Sequence, residues 1–128
     1  MKSEGTEMNQ VSTDKAPAAL GPYSQGVSAG GLVFTSGQLP IDPATGNIPA
    51  TIEEQTRQAL TNVRNILDAA GAGEVVSVTV YMKDLSEFAA MNSVYAEFFT
   101  APFPSRSCVG ADIPKGAKLE ISAIALKR

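Results

Sequence analysis

The sequence contains no histidine and only one cysteine, Cys108. Catalytic sites of the Ser/His/Asp and Cys/His types are therefore excluded, because each needs an imidazole to accept the nucleophile's proton. Zinc and non-haem iron sites lose their usual nitrogen ligands, and one cysteine does not replace them, so we expect no metal. A lone cysteine forms no intramolecular disulfide, which fits a reducing compartment, and we expect the protein to be cytoplasmic.

Long apolar runs and clustered basic residues are also lacking. Apolar runs are interrupted within a few residues, so no segment predicts a membrane span. The 10 Lys and Arg residues are scattered and the formal net charge is −3, so nucleic acid is not the expected partner. The first nine residues are polar and lack the layout of a targeting signal. We predict a flexible tail over residues 1–9 and a single domain over residues 10–128.

What is present is the pattern of an α+β domain. Thr51-Ile-Glu-Glu54 is a capping box that begins a helix, and Gly71 is placed to end it. Asp84 is placed to start a second helix, with Phe88, Met91, Tyr95 and Phe98 on one stripe. Alternation and turn residues predict an extended segment over residues 10–14 and strands near residues 24–28, 32–37, 76–82, 106–109 and 119–126. The order β-β-β-α-β-α-β-β predicts one sheet with two helices.

The last strand has apolar side chains on both faces. One face carries Leu119, Ile121, Ala123 and Ala125, and the other includes Ile124 and Leu126. Two helices cover only one face of a sheet, and soluble monomers seldom leave a large apolar patch in water. We therefore expect an oligomer that buries the second face.

Two charged residues stand in strand-like surroundings where a charge needs a partner. Arg106, flanked by Ser105 and Ser107, can grip a carboxylate through two parallel N–H bonds, or it can form a structural ion pair. Glu120 lies in an otherwise apolar and small-residue strand, where an unpartnered carboxylate is costly. It can be the partner of Arg106, an interface salt bridge, or a general base.

Four further residues are candidates for contact with a ligand. Cys108 is a potential nucleophile, but without histidine a buried, inert thiol is favoured. Tyr23, in an irregular loop, can offer a hydroxyl or simply pack as an aromatic. Ser36 and Gly37 follow a predicted strand, where a hydroxyl and a free N–H can meet an anion or merely form a turn. Composition and residue spacing alone therefore predict an α+β oligomer with an arginine that can bind an anion. They do not indicate which reaction, if any, the protein catalyses.

The motifs combine into a recognisable set. The segments are Ala16–Gln25, Phe34–Pro40, Asp42-Pro43 with Thr45-Gly46, Asn92–Tyr95, Pro104–Val109 and Leu119–Ile121. In this order, from about residue 10 to the C-terminus, they resemble the YjgF/RidA family of reactive-intermediate deaminases, also labelled endoribonuclease L-PSP. The segments 71–74, 100–103 and 109–113 are shorter than the family pattern.

The resemblance implies a chorismate-mutase-like α+β fold and a homotrimer with a ligand cleft between neighbouring subunits. It implies cofactor-free hydrolysis of 2-aminoacrylate and related 2-imino acids, which are small carboxylates, to 2-keto acids and ammonia. Arg106 would bind the substrate carboxylate and Glu120 would position the attacking water. Tyr23, Ser36, the Gly37 backbone and Cys108 would line the cleft. Two alternatives follow from other relatives: an endoribonuclease, or a ligand-sensing module without catalysis.

Overall fold

The computed structural model describes residues 7–128, and its elements follow the predicted order. The helices are α1 (Ile52–Ala69) and α2 (Phe88–Tyr95). The strands are β1 (Asn9–Val11), β2 (Gly26–Ala29), β3 (Leu32–Thr35), β4 (Ala72–Met82), β5 (Ser105–Gly110) and β6 (Leu119–Lys127). The α+β class with one sheet and two helices is confirmed. Of the predicted tail, residues 1–6 lie outside the described residues, and Asn9 already belongs to β1.

Helix α1 begins and ends at the residues that the sequence indicates. The Thr51 hydroxyl oxygen accepts the Glu54 N–H at 3.1 Å and donates to the Glu54 carboxylate at 2.9 Å. Gly71 follows the C-cap Ala70 with a φ of +68°, a left-handed conformation that glycine adopts without steric cost. The apolar stripe of α1 is buried against the sheet.

The second helix differs from its prediction at both ends. Asp84 caps a short 3-10 turn, and α2 itself starts only at Phe88. Of the expected stripe, Met91 and Tyr95 are buried, Phe88 is 37 % exposed, and Phe98 lies beyond the helix end. The stripe is shorter than predicted because α2 has only 8 residues, which is about two turns, and the helix therefore ends at Tyr95.

The six strands form one sheet in the order β1-β2-β3-β6-β4-β5. Neighbours are antiparallel except β4 and β5, which run parallel because α2 lies in the crossover between them. From Ser77 to Met82, β4 pairs without interruption with the β6 residues from Ile124 to Leu119. The short segment over residues 109–113 therefore does not shift β6 against β4. The loop between β5 and β6 absorbs the difference in length.

The two faces of the sheet have different surroundings. The helix face carries the main core, which includes Val78, Val80, Leu119 and Ile121. On the opposite face Phe34 and Ile124 are half-buried and Leu126 is 44 % exposed, and no element of residues 7–128 packs over them. No helix in that part of the chain is long and apolar enough to cross a membrane.

Candidate active site

Glu120 and Gly37 meet on the sheet face away from the helices. Glu120 pairs with Tyr81 across β6 and β4, and its flanking residues Leu119 and Ile121 point into the core on the other face. Beyond the end of β3, Gln38 and Ile121 exchange two backbone hydrogen bonds in an isolated antiparallel bridge. This bridge holds Gly37 beside β6. The Glu120 carboxylate lies against Gly37 so closely that a Cβ at position 37 would overlap Oε1. Only glycine leaves room for this carboxylate.

An open cleft of about 430 Å³ surrounds this contact. We call it the Glu120 cleft, and its lining includes Thr35, Gly37, Tyr81, Asp112, Glu120 and Ser122. Glu120 has no ion pair among residues 7–128. The Gly37 N–H also makes no hydrogen bond within that range. The cleft therefore presents a proton acceptor beside a backbone donor.

Arg106 lies on the other face of the sheet. It pairs with Val78 in the parallel β4–β5 ladder, so it shares the helix face with that buried valine. Its Nη1 donates to Asn92 Oδ1 at 2.7 Å. Its Cζ lies 4.6 Å from the centroid of the Tyr95 ring and 5.4 Å from that of Phe88. A cation held over aromatic faces is attracted by their quadrupoles, so these contacts orient the guanidinium.

The three residues that hold Arg106 come from one side of α2. Positions 88, 92 and 95 are four and three residues apart, which places them on one helix face. The spacing of these three positions can be read from the sequence and predicts that they share a helix face. It does not show which strand that face packs against, so it does not predict their contact with Arg106. Burial raises the pKa of Tyr95 although Arg106 acts in the opposite direction, so the Tyr95 hydroxyl stays neutral beside the cation. Arg106 donates one hydrogen bond to Asn92 and has four more N–H groups for an anion.

Cys108 follows Arg106 on the same face of β5, in register with Val80. The thiol is half-buried, and burial raises its pKa although Arg106 acts in the opposite direction. A neutral thiol at physiological pH is a poor nucleophile. Residues 7–128 contain no group of three His, Cys, Asp or Glu side chains that could hold a metal ion.

Tyr23 and Ser36 are placed differently from each other. Tyr23 is 54 % exposed, so it is not a packed aromatic, and it lines a second concavity that shares Gly37 with the Glu120 cleft. Ser36 is half-buried, and its hydroxyl donates to the Gln25 carbonyl oxygen at 3.1 Å while accepting from the Gln38 amide. Its hydroxyl is thus engaged in holding the loop that positions Gly37.

Arg106 and Glu120 are not partners within one chain. Their side chains project from opposite faces of the sheet, with β4 between their strands. The alternative of an intramolecular Arg106–Glu120 ion pair is therefore wrong. A single chain therefore holds the predicted site residues in two separate groups, which we call half-sites. Arg106 and Cys108 lie on the helix face, whereas Glu120 and Gly37 lie on the other face, with Tyr23 lining the concavity next to Gly37.

Comparisons with known proteins point to one family over nearly the whole chain. The family model for endoribonuclease L-PSP matches residues 13–127. The chain is 51 % identical over 124 residues to the 2-iminobutanoate/2-iminopropanoate deaminase of Escherichia coli K12, covering 92 % of this chain and 97 % of that protein. Its fold matches the crystal structure of E. coli TdcF with bound serine (TM-score 0.89, 48 % identity, 94 % and 99 % of the two chains). It also matches RidA from an Antarctic Psychrobacter (TM-score 0.88, 40 % identity, 92 % and 98 %). The chain therefore belongs to the endoribonuclease L-PSP family, which is the YjgF/RidA family.

Proposed function

We propose that this chain hydrolyses reactive 2-imino acids and their enamine tautomers, such as 2-aminoacrylate, to 2-keto acids and ammonia. The observation that carries the proposal is the 51 % identity, over nearly the full length of both chains, to the E. coli 2-iminobutanoate/2-iminopropanoate deaminase. The half-sites described above supply groups suited to this chemistry. The proposal uses no cofactor or metal.

Arg106 is proposed to bind the substrate carboxylate. Asn92 and the two aromatic rings hold the guanidinium, and Arg106 is exposed, so its remaining N–H groups are open to an anion. A planar fork of donors matches the two oxygens of a carboxylate. The serine bound in the E. coli TdcF crystal is likewise a small carboxylate.

Glu120 is proposed to activate the water. An imine carbon is already electrophilic, so the attacking water needs orientation and a proton acceptor more than strong activation. Water oxygen bonds to C2 of the imine while Glu120 accepts a water proton. The π electrons of the C2–N double bond move to nitrogen, which takes up the proton held by Glu120 and becomes an amino group. The new C2 hydroxyl then gives its proton, by way of Glu120, to this amino group, the C2–N single bond breaks, and ammonia leaves as the C2 carbonyl forms. The Gly37 N–H, which makes no hydrogen bond within residues 7–128, is proposed to donate to the substrate.

The two half-sites require two copies of the chain. Because Arg106 and Glu120 lie on opposite faces of one sheet, one substrate reaches both only if neighbouring subunits face each other. We propose a homotrimer that buries the apolar face around Phe34 and Ile124 and brings Arg106 of one copy to Glu120 of the next. Sedimentation should give about three times the chain mass of 13.3 kDa. A monomer at micromolar concentration would contradict this assembly.

The direct test of the reaction adds the purified protein to a dehydratase that generates 2-aminoacrylate, and times the release of pyruvate and ammonia. Accelerated release is expected from the wild type. Arg106→Ala and Glu120→Gln should each be nearly inactive alone. After unfolding and refolding together in equal amounts, about a quarter of the interfaces should combine an intact Arg106 with an intact Glu120, so activity should return. No recovery from mixed trimers would rule out a site shared between subunits.

Ribonuclease activity is not proposed, although the family carries that label. The chain has 13 acidic and 10 basic residues, and its basic residues form no run that could track a phosphate backbone. The cytoplasm stays the proposed location, on the argument of its single cysteine.

A further inference from the structure

A third concavity lies between the C-terminal half of α1 and the start of β4. Its volume is about 310 Å³, within the range of small-molecule sites. It shares no lining residue with the Glu120 cleft or with the concavity beside Tyr23, and Arg106 does not line it. We call it the α1–β4 pocket. It is therefore separate from both half-sites of the proposed reaction.

The strand pairing explains why this space is open. β5 begins opposite Ser77, so the part of β4 before Ser77 has β6 on one side and no strand on the other. The pairing of that part with β6 also shifts on both sides of Val75, and such irregularities change where side chains point. The chain between α2 and β5 lines the resulting gap.

The floor of the α1–β4 pocket is apolar. Leu67 of α1 belongs to the buried core, and Val75 and Phe99 are half-buried side chains packed against that core. A ligand that covers these side chains removes apolar area of both partners from water, which favours binding. The floor therefore fits an aliphatic or aromatic group.

The rim of the pocket carries charges of both signs. Arg64 and Asp68 lie one turn apart on α1, and Glu74 lies on β4. All three are exposed, and within residues 7–128 none of them forms an ion pair. The guanidinium and the two carboxylates are therefore available to a ligand.

Arg64 is held against an aromatic ring. Its Cζ lies 4.9 Å from the centroid of the Phe98 ring, a cation–π contact that leaves the guanidinium N–H groups free. A guanidinium held in this way presents a planar fork of donors to a carboxylate. Arg106 is held over Tyr95 and Phe88 in the same manner.

These three features match the three parts of one kind of molecule. A carboxylate fits Arg64, an ammonium fits Asp68 and Glu74, and an apolar side chain fits the floor. A ligand with only an acid or only an amine leaves charges of the rim without a partner. We propose that the α1–β4 pocket binds a free amino acid with an aliphatic or aromatic side chain, such as leucine, as its zwitterion.

The test measures binding by titration calorimetry on the full chain in its native assembly, so its outcome does not depend on imine hydrolysis. The wild type should bind leucine at least about tenfold more tightly than alanine, which lacks most of the apolar group. The same preference is expected over 4-methylpentanoate, which lacks the ammonium, and over 3-methylbutylamine, which lacks the carboxylate.

Variants of the exposed rim locate the site. Arg64→Gln, and the double variant Asp68→Asn with Glu74→Gln, should each raise the Kd for leucine at least about tenfold. The matched control is the double variant Asp14→Asn with Glu53→Gln, because both residues are exposed and lie outside the pocket. It should change the Kd less than about twofold.

Arg106→Ala separates the α1–β4 pocket from the proposed active site. It should retain leucine binding with unchanged affinity. Loss of leucine binding in Arg106→Ala, or unchanged binding in both sets of rim variants, would place the amino acid elsewhere and overturn the proposal. No binding by the wild type up to about 10 mM leucine, or equally tight binding of the two analogues that lack a charge, would overturn it as well.

Discussion

The Glu120 carboxylate occupies the space that a side chain at position 37 would fill. The Gln38–Ile121 bridge holds the backbones of Gly37 and Glu120 together, so only the Glu120 side chain can move aside without breaking the strand pairing. Gly37→Ala should therefore displace the carboxylate while the sheet still forms. We expect imine hydrolysis to fall at least about tenfold, because a misplaced base loses its alignment with the water.

Gly73→Ala is the control for this change. A Cβ at position 73 comes closest to the flexible side chain of Arg128, at 3.3 Å from Cγ, and meets the Leu126 carbonyl oxygen at an ordinary contact distance of 3.6 Å. Gly73→Ala should therefore leave the rate of imine hydrolysis near the wild-type value. Normal turnover in Gly37→Ala, with the melting temperature also unchanged, would show that Glu120 does not need its observed position.

Arg106→Lys should be nearly as damaging as Arg106→Ala. Lysine keeps the charge but loses the planar fork that Asn92 and Tyr95 orient. Loss of a charge-assisted bidentate contact should lower kcat/KM by about 30- to 1000-fold. Steady-state kinetics on both variants would check this. Near-normal turnover with lysine would mean that only the positive potential matters.

Glu120→Gln should separate binding from chemistry. Glutamine nearly preserves the shape beside Gly37 but accepts no proton at neutral pH, so kcat should fall by about 10²- to 10⁴-fold with little change in KM. The variant should still fold, form trimers and bind 2-ketobutyrate. Keto-acid affinity, melting temperature and turnover are measured on one preparation. If all three collapse together, Glu120 has a structural role.

Cys108→Ser should retain most of the activity. The thiol is held neutral by burial, so it supplies no thiolate for covalent catalysis. Complete inactivation with the fold and the trimer intact would instead identify Cys108 as a nucleophile.

Alkylation of Cys108 by iodoacetamide should report its raised pKa. The rate should reach half its maximum above about pH 8.5, the value of a free thiol, because burial favours the neutral form. Arg106 lowers the pKa of this thiol, so Arg106→Ala should shift the profile to still higher pH. A midpoint below that of free cysteine would contradict the burial argument.

Local patterns were enough to predict the element order. The Thr51 capping box, the left-handed Gly71 and the alternation along β4 act between residues close in the chain. The first two appear where they were expected, and the alternation holds from Ser77 to Met82, whereas Val76 is exposed beside a register shift. The extent of α2 was less predictable, because a 3-10 turn and a helical turn share the same cap at Asp84. The motifs also identified the family, since a set of short segments in one order is more specific than any single residue.

By itself the sequence determined which chemistry is unavailable, since a chain without histidine has no imidazole in any fold, and which residues can carry charge into the sheet. Only the tertiary structure decided where those charges point. Successive strand residues face opposite ways, so the faces of Arg106 and Glu120 depend on the register of β5 and β6 against β4. That register comes from long-range pairing, as does the approach of Asn92 to Arg106, 14 residues away in the chain. These contacts separate the two half-sites and make a second copy of the chain part of the proposed site.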